Sequence, residues 1–176
     1  MLVNGDCLEE VQKLVDKGIQ VDSIVTDPPY HLTSIVERFG KEGSAPAKDK
    51  DGAFQRQSVG FMGKEWDGGD IAFRKETWEL FMKVLKPGGH LLAFSGSRTY
   101  HRMAVAIEDA GFIIKDQIIW MSTTRMPQRN RLKSAHEPIV VAQKPPEGSL
   151  VENHKIWGCG LIDIDGGRVD WKGDIP

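Results

Sequence analysis

Cysteine is scarce in this chain. Cys7 and Cys159 are the only two in 176 residues, and no motif spacing links them. A disulfide is therefore weakly supported, and a reducing cytoplasm is the expected compartment. Histidine is equally unhelpful to a metal. His90, His101 and His136 stand at no ligand spacing from cysteine or from one another, so no metal site is expected. There is no signal-peptide pattern and no apolar run long enough to cross a bilayer, which leaves no membrane partner to expect. Neither sign of charge is in excess, the net being −2. A nucleic-acid partner would therefore have to be met by a local basic patch rather than by bulk charge. Internal repeats and low-complexity tracts are absent too.

What remains is the composition of a soluble globular chain, 40% apolar and 27% charged, long enough for one domain with a sizeable core. Leu2–Val3 reads as a short first strand ending at Asn4-Gly5-Asp6. Leu8, Val11, Leu14 and Val15 recur at helical spacing up to Gly18. Val21–Thr26 reads as a buried strand. His31 to Gly69 is a long polar stretch rich in Gly, Lys and Asp, a length of loop that is uncommon unless functional or disordered. Trp78, Phe81, Val84 and Leu85 mark an amphipathic helix that Lys86-Pro87-Gly88-Gly89 should stop. Leu91–Phe94 is the next strand. A helix through Met103, Ile107 and Ala110 closes at Gly111, and Ile113–Trp120 and Pro138–Ala142 read as two further strands. After Lys144-Pro145-Pro146 the pattern weakens. The alternation of strand and helix is that of an α/β layered sheet, with the last two strands joined as an antiparallel edge pair.

The most informative residues are Asp27-Pro28-Pro29-Tyr30, directly after the strand Val21–Thr26. Open α/β sheets bind ligands beyond the carboxyl ends of their strands. The tetrad puts a carboxylate, a stiffened backbone carbonyl and an aromatic ring there. Consecutive prolines fix φ and push the preceding residue into extended geometry. Two acceptors held in advance, the Asp27 carboxylate and a proline carbonyl, suit the exocyclic amine of a nucleic-acid base. They would draw its two N–H bonds toward tetrahedral geometry as it attacks a methyl donor. Tyr30 offers a face to a base that has left the duplex. The plainer alternative is a turn, since Asp-Pro and Pro-Pro are turn punctuation.

The ordered set of motifs resembles the phage or prophage site-specific DNA methyltransferases of the permuted amino-methylating class, specifically their N-terminal half. The resemblance runs through nearly the whole chain. It is carried by Asn4-Gly5-Asp6-Cys7-Leu8, Thr26-Asp27-Pro28-Pro29-Tyr30 and Phe61-Met62-Gly63-Lys64-Glu65-Trp66-Asp67. Further on it rests on Leu85-Lys86-Pro87-Gly88-Gly89-His90, Thr99-Tyr100-His101-Arg102, Ala135-His136-Glu137-Pro138-Ile139-Val140 and Ile162-Asp163-Ile164-Asp165-Gly166.

The resemblance implies a Rossmann-like, S-adenosylmethionine-dependent methyltransferase sheet. Residues 1–146 would form the catalytic part with a mobile loop at 31–69, and 147–176 a target-recognition or connecting segment. Asp6 would bind the cofactor adenine, with Cys7 beside it, and Asp27, Pro28, Pro29 and Tyr30 would hold the target base. An Asp-headed tetrad resembles adenine-N6 enzymes more than cytosine-N4 enzymes, which leaves cytosine N4 or an RNA base as the alternative substrate. The family's glycine-rich cofactor strand and loop have no counterpart in the sequence. The sheet is therefore expected to be incomplete, and the chain a fragment or one half of a split enzyme that needs a C-terminal half or second subunit. The competing reading is a non-catalytic DNA-binding remnant or subunit.

Other candidates keep two readings. Asp6 could be a helix cap, a cofactor ligand, or both. Ser95 and Gly96 end a strand and are either a turn or part of the cofactor site. Lys64 and Trp66 are either a surface turn or a loop closing near the tetrad. Arg125, Arg129, Arg131 and Lys133 are either a solvated loop or contacts to the phosphates of double-stranded DNA.

Overall fold

The computed structural model describes residues 2–30, 69–122, 132 and 135–168. The apolar stripe Leu8, Val11, Leu14, Val15 forms helix α1 over Cys7–Asp16. The helix starts at Asp6, whose carboxylate accepts hydrogen bonds from the backbone N–H groups of Leu8 and Glu9 at 3.0 and 3.2 Å. Leu2–Val3 is not the strand expected of it. Leu2 is 99% exposed, and neither residue pairs with a strand among the described residues. Two apolar residues without a neighbour to pair with do not make a strand.

Strand β1, Val21–Thr26, forms where its sequence placed it, but it is not the buried strand expected: none of its residues is fully buried and Val25 is 66% exposed, because β1 is an edge strand of the described sheet. A short 3-10 turn, Ile71–Phe73, leads into helix α2, Lys75–Val84. Trp78 anchors α2: it is fully buried, and its indole N–H donates to the Ala72 carbonyl at 3.0 Å. Strand β2 begins at the very next residue and runs Leu85–Phe94. Lys86-Pro87-Gly88-Gly89 thus stops the helix but does not separate it from the strand; it is the strand's own first half. A step of two residues along β1, Val21 to Ser23, corresponds to five along β2, Leu85 to His90. Lys86 and its neighbours form this bulge, and the Lys86 ammonium pairs with Asp22 across it at 2.6 Å. Lys144 closes the end of α2 by donating to the carbonyls of Met82 and Leu85 at 2.9 and 2.7 Å. Those groups lie in a helix's last turn, where carbonyls lack helical partners.

Helix α3, Tyr100–Asp109, strand β3, Ile113–Met121, and strand β4, His136–Gln143, complete the sheet. The strand order is β1-β2-β4-β3. β1 and β2 are parallel, and β4 is antiparallel to both of its neighbours. β1, β2 and β3 therefore finish at the same end of the sheet, where β4 begins. One face packs on α2 and α3 through Leu91, Ala93, Val140 and Ala142 against Trp78, Phe81, Met103 and Ile107. The other face carries Leu92, Phe94, Ile139 and Val141, flanked by Val25, Ile118 and Trp120, which are 66, 46 and 59% exposed.

A fourth helix, α4, Leu150–Trp157, lies in the stretch where the sequence pattern fades. Its start is a reciprocal capping box: Ser149 accepts from the Glu152 N–H, and Glu152 accepts from the Ser149 N–H. It is fastened to the bulged start of β2 by Asn153, which is wholly buried. The Asn153 side-chain amide donates to the carbonyls of Pro87 and Cys159 and accepts from the Glu147 N–H at 2.9 Å. Gln143 donates from β4 to the carbonyls of Gly88 and Gly160. Gly88, with φ of +75°, is closed in by this cluster: a methyl group there would collide with the Asn153 amide.

His90 lies half-buried in β2, and burial first, then the Lys115 charge, hold its pKa below the ordinary histidine value. Protonation is thus harder in the folded than in the unfolded chain. Its contribution to stability is full above about pH 6.5 and is lost as the pH falls through the lowered folded value. Denaturant midpoints followed from pH 8 to 5 should fall less steeply in His90→Asn than in the parent. Parallel curves would refute the assignment.

Candidate active site

The Asp27–Tyr30 tetrad leaves the sheet immediately beyond Thr26, whose partner in β2 is Ala93. Its neighbour is therefore the end of β2, Phe94-Ser95-Gly96. The two strands end in step because the bulge has absorbed their difference in length. Ser95 is buried, and its N–H donates to the Pro138 carbonyl at 3.0 Å, which ties this corner to the start of β4. Gly96 lies against the aromatic ring: a methyl group built on it would come within 3.5 Å of Tyr30 Cδ2. The Thr99 hydroxyl donates to the Tyr30 carbonyl at 3.2 Å, and more distantly to that of Gly96.

Within the tetrad, Pro28, Pro29 and Tyr30 are partly covered, while Asp27 is exposed. The Asp27 carboxylate makes no hydrogen bond or ion pair among the described residues, so its oxygens retain their acceptor capacity. A carboxylate, stiffened carbonyls and an aromatic ring thus stand together at one end of a parallel strand pair. Such acceptors can take the N–H bonds of an amine, and such a ring can stack on a flat group.

Asp6 stands before α1, which joins β1 through the short turn 17–20; Val11 of α1 and Ile24 of β1 both pack against the core cluster. Among the described residues, both capping bonds of Asp6 fall on Oδ1. The cap is real, and the second carboxylate oxygen remains available for a donor from a ligand. Cys7 is the first residue of α1 and is exposed beside it.

Lys64, Trp66, Arg125, Arg129, Arg131, Lys133 and the loop 31–68 lie outside the described residues. Thr99 was missed from sequence, because a threonine just before a helix looks like an ordinary cap. Among the described residues, no cluster of His, Cys, Asp and Glu could hold a metal ion, and no helix is long and apolar enough to cross a membrane.

Comparison with known proteins fits this geometry. A family model described as DNA methylase matches residues 21–157. The Type II methyltransferase M.HindIII of Haemophilus influenzae is 26% identical over 155 residues, covering 77% of this chain and 47% of the relative. The Type II methyltransferase M2.DpnII of Streptococcus pneumoniae is 27% identical over 148 residues, covering 82% and 50%. The chain spans about half the length of these curated relatives. Among solved structures, the M1.HpyAVI–SAM complex superposes with a TM-score of 0.54 at 19% identity, over 85% of this chain and 56% of that one. M1.HpyAVI alone gives 0.51 at 21% identity, over 81% and 54%. The likeness is one of fold, a Rossmann-like α/β sheet.

Proposed function

The chain belongs to the DNA methylase family, and from that premise we propose that it serves methyl transfer from S-adenosylmethionine to an exocyclic amine of a base in double-stranded DNA. The observation that carries this reading is the Asp27–Tyr30 turn at the carboxyl end of β1, packed against Gly96 at the carboxyl end of β2. Adenine N6 is the favoured target, because aspartate rather than serine heads the tetrad. The order of motifs, with Asp6 and the tetrad leading, favours the permuted subclass.

Bound S-adenosylmethionine would supply an electrophilic methyl group on a sulfonium sulfur. The residues present fit it on one side: Asp6 keeps a carboxylate oxygen for the adenine amine, and Cys7 stands beside it. Ser95 and Gly96 are candidates for the same group. The chain's own contribution to the reaction is positioning. Asp27 and the Pro28 or Pro29 carbonyl accept the two N–H bonds of the target amine and favour its tetrahedral form. Tyr30 stacks on the base. No covalent bond to the protein is needed. Asp27 need not be a strong base, since the amine sheds its proton readily once methylated. Lys64, Trp66, Arg125, Arg129, Arg131 and Lys133 are proposed to contact DNA. Because residues 147–160 are pinned to β2, they are better read as a connecting segment than as a reader of bases.

Calorimetric titration with S-adenosylmethionine tests the cofactor half of this reading. Asp6→Ala should lose both binding and about 1 kcal/mol of stability, the usual worth of a cap. Asp6→Ser should lose binding alone, because serine caps a helix equally well. Binding retained by both variants would remove Asp6 from the cofactor site. The chemical half is tested by incubating unmethylated duplex DNA with the chain and analysing its nucleosides. N6-methyladenine is the expected product, N4-methylcytosine would correct the target, and neither from a folded, cofactor-binding chain would favour a non-catalytic DNA-binding subunit.

A further inference from the structure

Thr99 occupies the N-cap position of α3, with φ of −117° and ψ of −9°. Threonine at that place normally turns its hydroxyl onto the helix's own free N–H groups. Here it makes no such bond. The hydroxyl is directed away from the helix, to the Tyr30 carbonyl at 3.2 Å and, more weakly, to the Gly96 carbonyl at 3.4 Å. The Gly96 carbonyl is already served by the backbone, accepting from the N–H groups of Thr99 and Tyr100 at 3.0 and 2.9 Å. The shorter of the two bonds is the one to the Tyr30 carbonyl.

We propose that Thr99 is a positioning residue, which gives up capping its own helix in order to fix the main chain of Tyr30 against Gly96. The proposal rests on the reading of Asp27–Tyr30 as a base-holding site. The prolines hold the tetrad from its N-terminal side by locking φ. Thr99 holds it from the C-terminal side, and Gly96 sets how near the ring approaches. A ring pinned from three sides stays in the plane a stacking base requires. A turn deprived of this bond is held less firmly, and rate would fall without any change in cofactor affinity.

Tyrosine occurs only twice, as Tyr30 and Tyr100, which makes the test direct. In a Tyr100→Phe background labelled with 3-fluorotyrosine, one fluorine resonance reports Tyr30 alone. Thr99→Val, which keeps the shape but removes the hydroxyl, should shift or broaden that line. Thr99→Ser should restore it. With duplex DNA as acceptor, Thr99→Val should lower kcat about tenfold, the order expected for one lost positioning hydrogen bond, with KM for S-adenosylmethionine unchanged. An unchanged Tyr30 line in Thr99→Val would overturn the proposal, since loss of a purely structural contact would lower Tm and leave the ring where it was. A moved line with undiminished kcat would equally overturn the positioning role. If the parent chain transfers no methyl group and its Tyr30 line is also unmoved by duplex DNA, the base-holding reading fails, while the Thr99–Tyr30 clasp still stands or falls on the fluorine line in Thr99→Val.

Discussion

Replacing Asp27 with alanine should lower methyl transfer by about a thousandfold, the order seen when one preorganised polar partner is removed from a reacting group. The carboxylate is exposed and bonds to nothing among the described residues, so its removal costs the fold little. Thermal midpoint and S-adenosylmethionine affinity should therefore match the parent. That split is the useful part of the result, because it separates a reacting group from a structural one. Asp27→Asn refines it: the amide keeps one acceptor oxygen and should retain more activity than alanine. Turnover in Asp27→Ala within a fewfold of the parent would rule out the proposed role. A large fall in Tm would show instead that Asp27 holds the turn.

The largest effect on stability should come from Asn153. Its side chain is fully buried and satisfies three backbone groups, the carbonyls of Pro87 and Cys159 and the N–H of Glu147. In Asn153→Ala the Cys159 carbonyl and the Glu147 N–H lose this partner, and the Pro87 carbonyl keeps only the weak Cys159 thiol donor at 3.3 Å, at about 1–3 kcal/mol for each group that water does not reach. A loss of about 3–5 kcal/mol follows, measured from urea midpoints at fixed pH, and it would consume much of the stability of a domain of this size. Asn153→Asp should do no better, because a carboxylate cannot donate to the two carbonyls. A loss below about 1 kcal/mol in the alanine variant would mean that water replaces the amide and that the cluster is not closed.

The parts of this fold that were legible in sequence are those in which apolar residues face a core. α1, α2 and α3 show their stripes and β4 shows as an apolar run, because packing chose their side chains; β1 and β3 also show as apolar runs, although β3 is largely exposed among the described residues. The same logic explains the failures. α4 has no apolar stripe because its one wholly buried side chain is polar, while Val151 and Ile156 are 56 and 68% exposed. Only its ends gave it away, in Ser149 with Glu152 at the start and Gly158, at φ of +72°, at the close. The first half of β2 hid behind Pro87-Gly88-Gly89, residues that normally punctuate turns. They are buried here because Asn153 and Gln143 come from far along the chain to satisfy their backbone. The tetrad's position could be read because β1 was plain, and the cap at Asp6 because the stripe of α1 begins just after it. The hold of Thr99 on Tyr30 could not be read, since it joins residues 69 apart and leaves no local pattern.

The bulge in β2 also bears on how this chain tolerates changes of length. Beyond His90 each residue of β2 is matched one for one with β1, and side chains alternate between the two faces. One residue added there would turn Leu91 and Ala93 outward and bring Leu92 and Phe94 into the core. Between Leu85 and His90 no such matching holds, so a change of length there leaves the pairing beyond His90 intact. Its cost falls elsewhere, on the buried Pro87-Gly88-Gly89 backbone that Asn153 and Gln143 hold. An insertion before His90 should therefore lower stability while Asp27 and Gly96 keep their places, whereas one after it should displace the core face of β2.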